Sequence, residues 1–141
     1  MAQHHKARRL AMQGLCCLDS QGSPAIDLVV EFIEDARDEE ATIREARSLM
    51  LGAFHDIEQA DAVLKRHARH WDLERLALVD RNILRIATHE MLTGRVPHKV
   101  AISEAIRLAK EFSSAQSPRF INGILDAVAR EIREHTTRQP R

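Results

Sequence analysis

Apolar residues recur at helical spacing along almost the whole chain. Between residues 7 and 18 they stand three and four positions apart, which predicts a first helix that ends in the polar run 19–22. Ser23 and Pro24 then form a helix start signal, because serine can cap a helix and proline fits its first position. The apolar face of the second helix consists of Ile26, Val29, Val30 and Ile33.

The third predicted helix is long. Thr42 and Glu45 have the spacing of a capping box, and apolar residues continue from there at helical spacing towards His70. The periodicity lapses around Trp71. We therefore expect a short linker or helical turn at that point.

Three further helices are predicted after this linker. The first starts near Leu76 and stops at Gly94, a residue type that commonly ends helices. The next, over 100–112, is apolar on so broad a surface that it is expected to be central and largely buried. The last begins at Ser117 and Pro118, which repeat the earlier start signal.

The pattern as a whole predicts an all-α protein. No stretch alternates apolar and polar residues for long enough to indicate a strand. The connections are short, so consecutive helices should pack antiparallel. The lapse near Trp71 divides the chain into helical halves, about 1–75 and 76–135, expected to pack as one compact domain with a frayed tail at 136–141.

Composition supports a folded domain and excludes several classes of protein. Apolar residues make up 44% of the 141, so the chain can form a core and intrinsic disorder is not expected. No apolar run approaches the roughly 18–20 residues of a membrane span, and the N-terminus lacks the apolar core of a signal peptide. The only cysteines, Cys16 and Cys17, are neighbours, which excludes a disulfide framework and favours the cytoplasm.

The formal charge is zero, with 21 basic and 21 acidic residues, which at first argues against a nucleic-acid partner. The charges are nevertheless separated along the chain: +3 over 1–18, −9 over 19–61 and +6 over 62–141. Binding of a polyanion requires a local basic patch rather than a basic total. Solvated helix faces are the simpler alternative interpretation of the same pattern.

No motif in the chain indicates catalysis or a resident cofactor. His67 and His70 share a helical face, but a zinc site would need further ligands at a recognisable spacing. Cys16 lies in the middle of a helix among apolar residues, where a thiol usually packs as a small hydrophobe. Phosphate-binding glycine loops and nucleophile motifs are absent from the sequence. We expect no catalytic residue, no metal and no cofactor.

The start of the first helix is the first candidate site for phosphate. Lys6, Arg8 and Arg9 crowd the helix start, where free backbone N–H groups also favour anions. Gln13 lies one turn after Arg9 on the same face. This face is opposite the apolar residues of the helix.

The start of the last helix is the second candidate site. Ser117 and the free backbone N–H groups there can bind phosphate beside Arg119, with Asn122 one turn further on. Phe120 has two possible roles. It can stack on an unpaired base, as aromatic rings beside basic groups do, or pack in the core against Ile124.

Three segments of the chain are distinctive in order and spacing: Val79–Ala87 (VDRNILRIA), Val96–Ile106 (VPHKVAISEAI) and Phe120–Asp126 (FINGILD). In both respects they resemble one known family, the NusB transcription antitermination factors. Ala7-Arg8-Arg9 also resembles the arginine motif at the family's N-terminus. The similarity is specific over 4–18 and 76–130, and elsewhere it extends only to the number and length of helices.

The resemblance implies a NusB-like fold of two packed three-helix halves without catalytic activity. It also implies binding of single-stranded boxA RNA together with the ribosomal protein NusE, within the RNA polymerase antitermination complex on ribosomal RNA operons. Both monomers and homodimers are compatible with the family. By motif, the implied RNA surface comprises Lys6, Arg8, Arg9, Gln13, Gln116, Ser117, Arg119, Phe120 and Asn122. The implied NusE surface comprises Asp80, Arg81 and Arg85.

Two other classes of function remain open at this point. One is a helix-turn-helix regulator that binds duplex DNA through 76–93 and 98–112, although the second of these helices is apolar on many sides. The other is a purely structural helical interaction protein, which would bind no nucleic acid. If the RNA interpretation holds, the acidic segment 19–61 is expected to face away from the RNA.

Overall fold

The computed structural model describes residues 2–68 and 73–138, and every regular element among them is helical. The prediction of an all-α fold is therefore confirmed. The helices are α1 (Ala2–Gln21), α2 (Ile26–Glu34), α3 (Glu40–His55), α4 (Ile57–His67), α5 (Leu78–Thr93), α6 (His98–Phe112) and α7 (Ser117–Arg138). Short 3₁₀ turns cover Ser23–Ala25 and Leu73–Arg75.

The predicted third helix is in fact two helices. Its first part, α3, ends at His55, where the Asp56 N–H donates to the carbonyl of Gly52, and α4 begins at Ile57. The predicted capping box is also wrong. The helix begins before Thr42, whose side chain is buried inside it, and the carboxylate of Glu45 contacts His4 instead.

The ends of the other helices follow the sequence signals more closely. α1 continues through the polar residues 19–21 and stops before Gly22, which has a φ of 89°. Gly94 ends α5 in the left-handed conformation, with a φ of 66°, as its position predicted. α7 extends to Arg138, into the segment predicted to fray. The predicted linker at Trp71, together with His70, lies outside the described residues, as do residues 139–141.

The central helix of the fold is α5. It packs against α1, α3, α4, α6 and α7, and all residues from 82 to 91 are buried. The sequence assigned this position to α6, and that prediction is wrong. α6 buries only a narrow stripe, and Ile102 and Ile106 remain half-buried beside α7. Broad apolarity therefore did not distinguish a central helix from one that borders a groove.

One hydrophobic core joins the described helices. Buried residues of all the helices α1 to α7 belong to a single cluster, with α1 and α4 packed directly on α5. Gly14 allows α1 to approach its neighbours closely, because a Cβ atom there would lie 3.1 Å from Val29 and 3.2 Å from Met50. No helix within the described ranges combines the length and apolar character that crossing a membrane requires.

Candidate nucleic-acid interface

One face of α1 reaches α6 through His5 and the start of α5 through Cys16. His5 contacts two carboxylates of α6, with Nδ1 3.0 Å from Oε2 of Glu104 and Nε2 2.6 Å from Oε1 of Glu111. Three turns later, the Cys16 thiol donates to the carbonyl of Leu78, 3.8 Å away. Positions 9 and 13 lie between these contacts on the same helical face.

The turn between α6 and α7 is held beside the start of α5 by Asp80. This buried carboxylate accepts hydrogen bonds from Ser113, at 2.5 Å, and from Ser117, at 2.9 Å. The turn therefore begins just after Glu111, the α6 residue that contacts His5. It is bonded to Asp80, which is two residues after Leu78, the α5 residue that contacts Cys16. The starts of α1 and α7, which are far apart in sequence, thus lie on one side of the molecule.

Phe120 lines a groove of about 220 Å³ at this turn. The ring is half-buried against the core, and Gln116 and Arg75 line the same groove. The placement of the ring fits the core-packing role, and the stacking role stays a prediction. One part of the ring packs inward and another part borders open space. Arg119 and Asn122 are exposed beside it.

Lys6 is exposed and Arg9 and Gln13 are partly exposed on α1. Lys6, Arg9 and Arg119 form no ion pair with any side chain in residues 4–68 and 73–135. Their charges are therefore available to a ligand. These cations, together with the amide side chains, are the accessible part of the predicted RNA surface.

Arg8 requires a correction, because it does not face solvent. Its side chain is only 6% exposed and meets the carboxylate of Glu90, which is 2% exposed. The pair is bidentate, with Nε 3.1 Å from Oε1 and Nη2 3.0 Å from Oε2. Burial raises the pKa of Glu90, and the hydrogen bonds from Arg8 oppose that rise. The guanidinium is thus occupied by Glu90 and is not free for a phosphate.

Ser117 is likewise engaged inside the protein. It is buried, and its hydroxyl contacts Asp80, Ser113 and Ser114 within hydrogen-bonding distance. It therefore fixes the α6–α7 turn rather than offering a free hydroxyl. The side chains beside it, including Gln116, remain exposed.

The residues predicted to face NusE are tied into a cluster of ion pairs. Arg85 makes two 2.8 Å hydrogen bonds to Asp61 of α4 and one of 3.1 Å to Asp19 of α1. Arg81 donates to the same Asp19 oxygen at 2.7 Å. The side chains of Arg81 and Arg85 are 13% and 10% exposed, and Asp80 is buried. A partner can reach only the rim of this cluster, and a role of these residues in partner binding stays a prediction.

Part of the acidic segment 19–61 forms ion pairs with α1 and α5, and the orientation of this segment relative to RNA stays a prediction. Asp19 and Asp61 pair with arginines of α5, and Glu45 pairs with His4 of α1. Burial opposes the ionisation of Asp19, but the hydrogen bonds from Arg81 and Asn82 prevail, so that its pKa is lowered. The sequence had no signal for these contacts beyond the acids themselves.

The side chains screened for chemistry have structural partners. His67 Nε2 lies 2.8 Å from Oε1 of Glu131 on α7, while His70 is outside the described residues. Burial raises the pKa of the Cys16 thiol to about 11, which disfavours the reactive thiolate. Cys16 packs in the helix as the sequence predicted.

A cleft that the sequence did not reveal lies beside the Arg8–Glu90 pair. It has a volume of about 450 Å³ and separates the start of α1 from the start of α6, where Val100 is 40% exposed. The available signal was Glu90 itself, an acidic residue at helical spacing from the apolar Ala87 and next to Met91. The polar lining of the cleft consists of His4, Arg8, Glu45, Glu90, Arg95 and Glu104.

The sequence profile of the NusB family matches residues 5–130, which include both candidate surfaces. The chain belongs to the NusB family. A relative in Solibacter usitatus (strain Ellin6076), a transcription antitermination protein NusB, is 39% identical over 136 residues, which cover 95% of this chain and 93% of the relative. Membership of this family confirms the prediction that the protein is not an enzyme.

Solved structures of NusB proteins share the fold. NusB of T. maritima superposes with a TM-score of 0.81 at 31% identity, over 91% of each chain. A structure of the antitermination factors NusB and NusE in complex with double-stranded RNA gives a TM-score of 0.79 at 24% identity, over 93% of this chain and 98% of that chain. At that identity the likeness concerns the fold alone.

Proposed function

We propose that the protein is a transcription antitermination factor of the cytoplasm that binds boxA-type single-stranded RNA of nascent ribosomal RNA transcripts together with NusE. Its complex with RNA and NusE would act on RNA polymerase. The observation that carries this proposal is the set of unpaired cations, Lys6, Arg9 and Arg119, on the side of the molecule where Phe120 borders a groove. Family membership supports it independently.

Different residues of this surface would contact the phosphates, the base faces and the base edges of the RNA. Lys6, Arg9 and Arg119 would bind phosphates and so position the strand, whatever its sequence. The half-buried ring of Phe120 is suited to stacking on one unpaired base. The amides that would select bases through their edges are those of Gln13, Gln116 and Asn122.

Arg8 and Ser117 would support the RNA surface without contacting the ligand. Arg8 anchors the start of α1 to α5 through Glu90, and Ser117 anchors the start of α7 through Asp80. Each therefore places exposed neighbours at the surface. This assignment separates the two adjacent arginines, Arg8 and Arg9, into one structural and one RNA-binding residue.

NusE would supply affinity that this surface lacks. Three cations give only a modest electrostatic attraction, because affinity for RNA grows with the number of phosphates neutralised. Stacking on the single ring of Phe120 would add little more affinity for RNA. We therefore expect weak RNA binding by the protein alone and stronger binding when NusE is added.

The test is RNA binding at several salt concentrations, with and without NusE. The variant Lys6→Ala/Arg9→Ala should bind boxA RNA more weakly, and its dependence of log affinity on log salt should flatten by about 1.4, at about 0.7 per phosphate of a single strand. The matched control is Arg37→Ala/Arg44→Ala, which removes two exposed arginines from the acidic segment. Its affinity and salt slope should equal those of the unmodified protein.

The competing functions predict different ligands in the same assay. Preference for duplex DNA would support the helix-turn-helix interpretation, and absence of RNA binding even with NusE would support a purely structural role. A duplex RNA of the same sequence tests whether the strand must be unpaired. An unchanged salt slope in the Lys6→Ala/Arg9→Ala variant would contradict the proposed surface.

A further inference from the structure

The outer face of α2 is an apolar ridge bordered by acids. Leu28 is 70% exposed and Phe32 is 50% exposed, and they lie one helical turn apart. They are the two most exposed of the large apolar side chains that the structure describes. The exposed acids Asp27, Glu31 and Asp35 flank them, with no basic residue in the helix. Exposed apolar side chains that form a ridge often mark an interaction surface.

A groove of opposite charge lies between α6 and α7. It has a volume of about 430 Å³, and its floor is formed by the half-buried Ile102 and Ile106. Lys99, Arg107 and Lys110 stand at its rim, with Asp126 of α7 opposite. Within the described residues Lys99 and Lys110 have no ion-pair partner, and Arg107 is only loosely paired, 3.8 Å from Glu111 and 4.0 Å from Glu104.

We propose that the α2 ridge of one molecule docks in the α6–α7 groove of a second copy of this chain. Leu28 and Phe32 would cover the isoleucine floor, and the acids beside them would meet the basic rim. The ridge and the groove are complementary in hydrophobic character and in charge. Each has an apolar centre, and the border of the ridge is acidic whereas that of the groove is mainly basic. RNA fits the groove less well, because no aromatic side chain lines it for base stacking.

The contact would be head-to-tail rather than reciprocal. α2 packs on α1 and α3, which in turn contact α5, whereas the groove lies between α6 and α7 on the far side of α5. Because the ridge and the groove are on opposite sides of the molecule, two copies cannot each place a ridge in the other's groove at the same time. A heterologous contact of this kind leaves a free ridge at one end of the pair and a free groove at the other. Association would therefore continue beyond the dimer as the concentration rises.

The contact would also be weak and sensitive to salt. Two large side chains on a nine-residue helix cover much less area than the roughly 1,600 Å² of a standard stable interface. The charges around them are exposed, and exposed charges are screened by salt. We expect the dissociation constant to rise by about tenfold between about 50 mM and about 500 mM salt.

The decisive experiment mixes two variants that are each defective in one half of the contact. Leu28→Ser/Phe32→Ser removes the ridge and leaves the groove, whereas Lys99→Glu/Lys110→Glu reverses the groove and leaves the ridge. In sedimentation velocity at low salt, the unmodified full chain should associate progressively and each variant alone should stay monomeric. An equimolar mixture of the variants should form a dimer that does not grow further, because only one productive contact can form.

Several results would overturn this proposal. They are a monomeric unmodified protein at every concentration, a ridge variant that associates normally, or a mixture that fails to dimerise. RNA binding is measured in parallel. Loss of RNA binding in Lys99→Glu/Lys110→Glu with no change in association would assign the groove to RNA instead. Circular dichroism checks folding, and Lys99→Gln/Lys110→Gln replaces the groove variant if its charge reversals disturb α6.

Discussion

At the scale of single residues, neighbours in sequence have opposite environments. A step of one residue turns a helix by about 100°, so Arg8 points into the protein at Glu90 while Arg9 stays partly exposed. The buried Arg8–Glu90 pair leaves no charge unmatched. Loss of one partner would leave an uncompensated charge in the interior, which costs far more than loss of a surface charge.

We therefore expect Arg8→Ala to reduce the free energy of unfolding by about 3–5 kcal/mol, as removal of one partner of a buried pair does. Arg9→Ala should change it by less than about 0.5 kcal/mol, as substitutions at such a surface position usually do. Urea unfolding measures both variants. Arg9→Ala should instead weaken RNA binding in proportion to one lost phosphate contact.

The control for this prediction is the double replacement Arg8→Leu/Glu90→Leu. Replacing both partners of a buried pair by apolar residues is often neutral or stabilising, so the double variant should be more stable than Arg8→Ala. Equal stability losses in Arg8→Ala and Arg9→Ala would contradict the structural role of Arg8.

The sequence identifies the basic residues of the proposed RNA surface but not their partners within the protein. Lys6, Arg8 and Arg9 look equivalent in a list of charges, and only the fold brings Glu90, 82 residues away in sequence, to one of them. Ser117 illustrates the same limit. Its start signal was recognisable, whereas the Asp80 carboxylate that occupies its hydroxyl lies 37 residues earlier. The periodicity of apolar residues does not indicate which polar side chains pair when they are far apart in the sequence.

At the scale of helices, the break between α3 and α4 lies beside His89 of α5. His89 is buried and approaches the last turn of α3 and the break itself: its Nε2 would be 2.9 Å from a Cβ atom placed on Gly52, and its Nδ1 is 3.4 Å from Asp56 Oδ2. Gly52 therefore creates room for the imidazole. No glycine or proline marks position 56, so the sequence predicted one continuous helix there.

Gly52→Ala should destabilise the protein although alanine favours helices. The helical preference would contribute about 1 kcal/mol of stability. The clash with the buried ring is expected to cost more, since overpacking of a core typically costs about 1–3 kcal/mol. We expect a net loss that is visible as a lower midpoint of thermal unfolding.

Gly123→Ala is the matched control. Gly123 also lies inside a helix, α7, but no atom is within 4 Å of a Cβ atom placed there. Only the helical preference then acts, and stability should rise by about 0.5–1 kcal/mol. If Gly52→Ala were as stabilising as Gly123→Ala, the close approach of His89 would not be limiting.

At the scale of the whole molecule, the separation of charge along the chain has two consequences. Some acids of the segment 19–61 tie the fold together, as Asp19 and Asp61 do by joining α1 and α4 to α5. Of the other acids in this segment, Asp27, Glu31 and Asp35 are exposed on or directly after α2. A net charge of zero thus conceals one surface suited to phosphate and another suited to a basic partner.

The Asp19 carboxylate is the point at which this internal network can be tested by pH. Asp19→Asn should lower the free energy of unfolding at neutral pH by about 1.5–3 kcal/mol, the scale of a hydrogen bond to a charged group, because the acceptor that Arg81 and Arg85 share loses its negative charge. The pKa of Asp19 is below its ordinary value of 3.8. Its contribution to stability is therefore complete above pH 3.8 and is lost as the pH falls through the folded-state pKa.

Unfolding curves for the unmodified protein and for Asp19→Asn should therefore differ most at neutral pH and converge in acid, below about pH 4. Asp27→Asn is the control, since Asp27 is exposed on α2 and makes no ion pair within the described residues. It should leave stability nearly unchanged at every pH. A difference between the unmodified protein and Asp19→Asn that stays constant with pH would mean that the carboxylate acts through packing and not through its charge.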